Sequence, residues 1–402
     1  MKSKVQVISA ILALVACMNV SAQIAGDSIR IGVMTDMGGM FSPWSGKGSV
    51  IAAEMAVDDF KKSHPNRPYK IEVVQADFQQ KADLAVAITR KWMDEGVNAI
   101  VDIPSSGAAL AVRSALKGGP MALLLTGAQH DDITTKECLP NMVHWVFDST
   151  TLIVPPLLAL MKSAGKTFFF ITVDGAGGKA LEDAMRKFIT ENGGSILGGV
   201  RTPANTNDFS SYLLQAQASK ASVIVLAESG TDLVAALKQA DEFAIAKSGQ
   251  KIHAPSFKIQ DVYGIGLPLA KGLRYTDGFY HDADEGKRNF AKRFAERLPG
   301  QAPSSDHAGV YSVVTHYLKA ADEAKSNNGP VVVAKMRQLP VSDPLLGPGK
   351  LRIDGRMVHD MYIFEVKAPA ESKAPWDLLK IVQTLPGEQV FRPLSKECPL
   401  VK

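Results

Sequence analysis

The chain has 402 residues with a formal net charge of +4, 46% hydrophobic and 21% charged residues, and three cysteines. At roughly 150 residues per domain this length predicts two or three domains with ample core, and the composition excludes disorder, collagen and dense disulfide scaffolds. So small a surplus of cations also excludes a nucleic-acid surface.

Residues 1–22 read as a secretory signal peptide: Lys2 and Lys4 form a basic n-region, Val5 to Ala16 an apolar h-region, and Val20-Ser21-Ala22 the small cleavage-site residues. About twelve apolar residues are too few to span a bilayer. Leu14-Val15-Ala16-Cys17 resembles a lipobox, but the well-formed stretch after Cys17 favours cleavage after Ala22 and a periplasmic location. Cleavage there removes Lys2 and Lys4, leaving 43 cations against 41 anions and a nearly neutral protein. It also removes Cys17. Cys138 and Cys398 then remain in an oxidising compartment, where the expectation is one disulfide; two separate buried thiols are the alternative.

Short apolar strands then alternate with amphipathic helices. The spacing predicts a strand over Ser28–Thr35, a Gly/Ser/Pro loop from Met37 to Gly48, and a helix over Val50–Phe60. Strand Tyr69–Val74 follows, then helix Asp83–Glu95 with Leu84, Ile88 and Trp92 four apart and Gly96 at its end. Strand Val97–Ile103, helix Ala108–Leu116 and strands Met121–Thr126 and Met142–Phe147 complete a βαβ series. A second series runs through helix Leu152–Ser163, strand Thr167–Val173, helix Gly178–Glu191 and strand Ser195–Arg201. It ends with helix Phe209–Ala218, strand Ser222–Ala227 and helix Asp232–Phe243. Helices recur at Gly286–Leu298, Ala308–Ser326 and Val331–Leu339, followed by strands Lys350–Ile353 and Met357–Val366 and a Pro-rich, loop-like tail. The fold class is therefore α/β, with mostly parallel sheets in two lobes.

Enzyme signatures are sparse. Gly175-Ala176-Gly177-Gly178-Lys179-Ala180 follows a strand and opens a helix, as a dinucleotide-binding turn would. The acid expected at the end of the next strand is missing and Arg201 stands there, which leaves an exported NADP-dependent oxidoreductase as a minor alternative. Small residues at a tight strand-to-helix turn explain the same glycines. GxSxG, HExxH and GxxxxGK[ST] do not occur, and the eight histidines show no metal-ligand spacing, so no catalytic residue, metal or cofactor is assigned. The loops at the carboxyl ends of the first strands are better candidates, because ligands bind there in open α/β sheets. Pro104-Ser105-Ser106-Gly107 offers hydroxyls and helix-start amides to a carboxylate, or the serines only cap the helix. Gly127-Ala128-Gln129 and Ser42-Pro43-Trp44-Ser45 occupy equivalent loops.

Taken in order, several segments resemble a known family: Ile29-Arg30-Ile31-Gly32-Val33, Ala53-Glu54-Met55-Ala56-Val57-Asp58-Asp59-Phe60, Ser105-Ser106 and Leu125-Thr126-Gly127-Ala128. Asp208-Phe209-Ser210-Ser211 and Ala308-Gly309-Val310-Tyr311 continue the set. Together they resemble the periplasmic substrate-binding proteins of branched-chain amino acid-type ABC transporters. The contexts of Cys138 and Cys398 resemble a subgroup with two such cysteines. The resemblance implies a type I periplasmic binding protein: a monomer of two Rossmann-like lobes joined by a three-strand hinge. It places residues 23–149 and 281–345 in one lobe and 150–280 and 346–402 in the other. It implies a small-molecule ligand clamped between the lobes and an ABC permease as partner; a sensor for a membrane receptor would use the same lobes. It further implies ligand contacts from Ser105 or Ser106, Gly127 and Gln129 for a carboxylate, and from Trp44 or Ser45 for a side chain. From the second lobe it implies Gly177, Ser229 and Phe257 or Lys258. Amino acid binders of the family place an acid at the last of these for the ligand's ammonium, and this chain has none there, with Glu228 and Asp261 as substitutes nearby. A buried unpaired cation is costly, so the expected ligand is a small organic acid, aromatic or otherwise, with Trp44, Phe257 and Tyr263 as walls.

Overall fold

A computed structural model describes Ile24 and residues Asp27–Lys402, so the signal peptide and the lipobox at Cys17 lie outside the described residues. The elements in chain order begin with β1 (Ser28–Thr35), α1 (Gly46–Ser63), β2 (Lys70–Asp77), α2 (Ala82–Asp94), β3 (Ala99–Asp102), α3 (Ser106–Ala115), β4 (Ala122–Leu125) and β5 (Met142–His144). These five strands form one parallel sheet in the order β2-β1-β3-β4-β5. Every residue of β3 (AIVD) and β4 (ALLL) is buried, as expected of strands covered on both faces.

Next come α4 (Ser149–Ser163), β6 (Thr167–Val173), α5 (Ala176–Glu191), β7 (Ser195–Thr202), α6 (Ser210–Ala218), β8 (Val223–Ala227), α7 (Gly230–Glu242) and β9 (Lys251–His253). Their strands form a second parallel sheet, β7-β6-β8-β9. The stretch that follows carries α8 (Ile259–Ile265), α9 (Leu267–Ala270) and β10 (Arg274–Asp277), elements too short to show a period in the sequence.

The late helices α10 (Glu285–Arg297), α11 (Ser305–Ala324) and α12 (Gly329–Gln338) pack on the first sheet, beside α1. Asp59 of α1 takes hydrogen bonds from Arg293 and from the Tyr311 hydroxyl, and Tyr69 donates to Asp322. The chain ends with β11 (Val341–Asp343), β12 (Gly347–Leu351), β13 (Met357–Val358), β14 (Met361–Val366), β15 (Leu379–Leu385) and α13 (Gly387–Val390). Strands β10, β14 and β15 make an antiparallel sheet on the second core.

Two expectations need correction. The single strand Met357–Val366 is broken at His359-Asp360, where the chain leaves the first core for the second. The tail is not all loop: β15 pairs along β14, but Ile381 and Val382 are both exposed, so the sequence shows no inward-outward alternation. The tail divides its apolar side chains, with Leu351, Met357, Val358 and Phe391 in the first core and Phe364, Val366, Leu378 and Leu379 in the second.

After β15 the tail returns to the first core at Val390 and Phe391, a fourth crossing in addition to the three through Val146, Gly278 and His359. Those three lie side by side: a β-carbon on Gly278 would stand 2.9 Å from the His359 ring and 3.4 Å from Val146. Cys138 and Cys398 form the disulfide, with Cα atoms 5.7 Å apart.

Candidate functional site

The carboxyl ends of both parallel sheets face one cavity of about 380 Å³. Its first wall is built by the loop after β1. Asp36 ties that loop down, accepting from the backbone of Gly39 (2.8 Å) and Phe41 (3.0 Å) and from Gln80 (2.9 Å). Trp44 is thereby set edge-on to Phe41, with ring centroids 5.1 Å apart, and lines the cavity. Its indole Nε1 is buried and has no hydrogen-bond partner.

At the end of β3 the chain turns sharply. Asp102 and Ile103 take left-handed φ values of +84° and +55°, a conformation held by hydrogen bonds. The Asp102 carboxylate accepts from Ser45 Oγ (2.6 Å) and Thr126 Oγ1 (3.2 Å), and Ile103 N–H donates to Met34 (3.0 Å). The turn aims Ser105, Ser106 and the first amides of α3 at the cavity. Ser105 Oγ does cap the helix, accepting from Ala108 N–H at 3.4 Å, while Ser106 Oγ accepts from Gln129 N–H at 3.1 Å. Gly127 is packed between Pro104 and Asp306, where a β-carbon would lie 2.8 Å from Asp306 Oδ1.

The second wall consists of the loop into α5, Asn205, Ser229 at the start of α7, Ser256 and Lys258. Gly178 sits where a β-carbon would be 2.3 Å from the Val173 carbonyl, so its role is the tight strand-to-helix turn. Gly177 lets α5 approach α3, because a side chain there would begin 3.2 Å from Ser106 Oγ. Arg201, the residue suited to an NADP phosphate, instead pairs with Glu182 at 2.9 Å and does not line the cavity. The walls touch directly where Ser256 Oγ donates to Gln129 Oε1 at 2.9 Å, leaving the Gln129 amide group free to donate.

Of the residues singled out in the sequence, Trp44, Ser105, Ser106, Gly127, Gln129, Gly177 and Ser229 line the cavity. Ser45 does not: its hydroxyl is consumed by Asp102 and Thr35, and its carbonyl lies 2.8 Å from His307 Nε2. Phe257 does not either. It is buried against Tyr275 in the second core, while its neighbours Ser256 and Lys258 line the cavity. Tyr263 is half exposed and stacks on Trp376 away from the cavity.

Lys258 is the residue on which the site's electrostatics turn. Its buried ammonium bonds both oxygens of Asp277 (3.2 and 3.3 Å) and Ser305 Oγ (2.8 Å), with Asp306 at 3.5 Å. It also lies 3.7 Å from the Phe147 ring centroid and 5.9 Å from that of Trp44, both cavity walls. Burial pushes Asp306 up to about 8 against the opposing pull of Lys258. Asp261, which accepts from the Lys258 backbone N–H, is pushed up to about 8 by burial as well. Glu228 is pushed up to about 8 by burial, opposed by its hydrogen bond from Thr202. Neither Glu228 nor Asp261 lines the cavity. Asp174 does, but it is solvent-exposed. Among the described residues no cluster of metal-ligating side chains occurs, and no helix is long and apolar enough to cross a membrane.

A family model described as periplasmic binding protein matches residues 28–373. The crystal structure of a periplasmic binding protein from Burkholderia mallei is 41% identical, with a TM-score of 0.88, covering 94% of this chain and 100% of that one. A branched-chain amino acid ABC transporter periplasmic ligand-binding protein from Burkholderia xenovorans LB400 is 36% identical, with a TM-score of 0.77, covering 91% of this chain and 97% of that one. The Leu/Ile/Val-binding protein homolog 6 of Brucella melitensis biotype 1 is 26% identical over 243 residues, 58% of this chain. The match spans 60% of that curated relative's length. Structures from Rhodopseudomonas palustris at 18–20% identity share the fold and hold 3,4-dihydroxybenzoic acid, 4-hydroxybenzoate and benzoate. With sheets, cavity and comparisons in agreement, this chain belongs to the periplasmic binding proteins of branched-chain amino acid ABC transporter type.

Proposed function

We propose that this protein captures a small organic carboxylate lacking an α-amino group, aromatic or aliphatic, and delivers it to an ABC permease from the periplasm. The lobes in this reading are residues 23–149 with 281–345 and residues 150–280 with 346–402, the last stretch lending side chains to both cores. Ligand bridges them, and closure is the state the permease recognises. No bond in the ligand is made or broken.

The observation that carries the reading is Lys258 in the cavity wall. An α-amino acid would bring a second cation next to it in a space shielded from water. Of the acids nearby, Asp277 and Asp306 are engaged by Lys258. Asp261 is pushed up to about 8 by burial and does not line the cavity, and Asp174, which does, is solvent-exposed. A carboxylate meets the opposite field: the N-termini of α3, α5 and α7, the positive ends of their dipoles, converge on the cavity. Trp44, Phe147 and Leu152 supply an apolar middle, which suits a ring or a branched chain. That the fold holds benzoates in the Rhodopseudomonas palustris proteins accords with this choice.

A thermal-shift screen of benzoate, hydroxybenzoates, branched aliphatic acids, dicarboxylates and amino acids tests it. A ligand at a hundred times its Kd adds about 2.7 kcal/mol of stability. The expected responders are monocarboxylates; stabilisation by leucine with silence from every simple acid overturns the proposal.

A further inference from the structure

The loop joining β4 to β5 has two ends with different tasks. Gly127 and Gln129 line the cavity, and Cys138 is tied to Cys398 near the end of the chain. Between them stands Asp131. Arg392 of the tail donates from Nη2 to the Asp131 carbonyl at 3.0 Å, and its Nη1 lies 3.6 Å from the Asp131 carboxylate. The same carboxylate accepts from Thr150 Oγ1 (3.2 Å) and Thr150 N–H (3.4 Å) in the first turn of α4. Ser149, one residue earlier, donates its N–H (2.8 Å) and its hydroxyl (2.9 Å) to the Gln129 carbonyl.

Phe391 secures the neighbouring crossing. Its buried ring lies 4.8 Å from the Arg356 guanidinium and 5.4 Å from the His359 ring. Arg356 donates to the Phe147 carbonyl at 3.0 Å, and His359 Nε2 lies 2.7 Å from the Val146 carbonyl. Beyond Phe391 the tail has a single buried residue, Cys398.

We propose that Arg392 is a positioning residue for the ligand cavity, and that the Cys138–Cys398 disulfide keeps it at Asp131. This rests on reading the cavity as the binding site. The Arg392 backbone is held beside buried Phe391 and by Arg352 Nη1, which donates to its carbonyl at 2.5 Å. Its partly exposed guanidinium still exchanges partners readily with water. Tethering the tail a few residues away raises the effective concentration of the guanidinium at Asp131, without adding any contact to the ligand. Arg392 then holds the loop that carries Gln129 to the helix that opens the second lobe.

The test uses the full mature chain without ligand, followed by amide hydrogen exchange in four states: oxidised, reduced by a phosphine, Arg392→Gln and Arg392→Lys. Exchange over residues 127–134 and 146–151 is expected to rise about tenfold on reduction and in Arg392→Gln, while β6 and β8 keep their protection. Arg392→Lys should restore most of it. Arg392→Gln retains the disulfide, so it decides the matter should the reduced chain unfold. A rise confined to residues 393–402, or an Arg392→Gln protein identical to the parent, overturns the proposal. In a second arm, calorimetry with 4-hydroxybenzoate as probe should show Kd weakened about tenfold in Arg392→Gln at an unchanged unfolding midpoint, with recovery in Arg392→Lys. An Arg392→Gln protein that binds the probe as the parent does also overturns the proposal. Failure of the parent protein to bind the probe counts against the aromatic-acid reading, and the exchange comparison still decides the role of Arg392.

Discussion

Thr231 donates its backbone N–H to the carbonyl of Met40 across 3.2 Å, joining the first turn of α7 to the loop after β1. Gly230 makes this approach possible. It adopts φ +55°, and a β-carbon there would lie 1.9 Å from the Met40 carbonyl oxygen. Gly230→Ala is therefore expected to prop the two sheets apart. Scattering should show an expanded molecule, and ligand should bind about tenfold more weakly or worse, because the closed state is depopulated. A parent-like radius of gyration and Kd would refute this role for Gly230.

Lys258 and Asp277 are a buried pair, so removing one partner leaves the other exposed to the full cost of desolvation. Lys258→Met should lose about 3–5 kcal/mol in denaturant unfolding. Pairing it with Asp277→Asn should recover part of that loss, a coupling that a double-mutant cycle reads directly. Additive effects would mean that the pair contributes nothing as a pair.

Glu228 gives the protein a pH dependence of known sign. Burial raises its carboxyl from the ordinary 4.5 to about 8, so the folded chain keeps a proton that the unfolded chain releases. Stability attached to this group is complete below about pH 4.5 and is lost progressively up to about pH 8. Glu228→Gln cannot ionise. It should match the parent in acid and exceed it at higher pH by up to a few kcal/mol, since each tenfold difference in proton affinity between the folded and unfolded chains is worth ~1.4 kcal/mol. Parallel pH profiles of the two proteins would contradict this.

Trp44 Nε1 is a buried donor awaiting an acceptor. Trp44→Phe removes the donor and keeps a ring in the wall. Its expected signature is a split: unfolding stability within about 1 kcal/mol of the parent, but affinity for a carboxylate ligand reduced about five- to tenfold. Equal affinity would mean that the indole N–H does not meet the ligand.

The fold could be read from the chain because buried parallel strands announce themselves: AIV of β3 and ALLL of β4 are continuous apolar runs, and α3 begins just after the serine that caps it, Ser105. The cavity's first wall was legible for the same reason, since loops at strand ends in such sheets have one place to go. The choice between Phe257 and Lys258 was not. It depends on the course of the irregular stretch between the three-residue β9 and α8, and nothing periodic flanks it. Ser45 misled because it is polar and sits in the right loop, while its partner Asp102 is 57 residues away. Arg392 and Asp131 are 261 residues apart, and neither carries a local signal. Long-range polar pairing is the part of the site that spacing cannot express.

The most direct test is a matched pair of titrations: phenylalanine against 3-phenylpropanoate, which differ only in the α-amino group. With the Lys258 ammonium in the wall, the deaminated acid should bind at least about a hundredfold more tightly. Tighter binding of phenylalanine would contradict the assignment of this cavity to simple carboxylates.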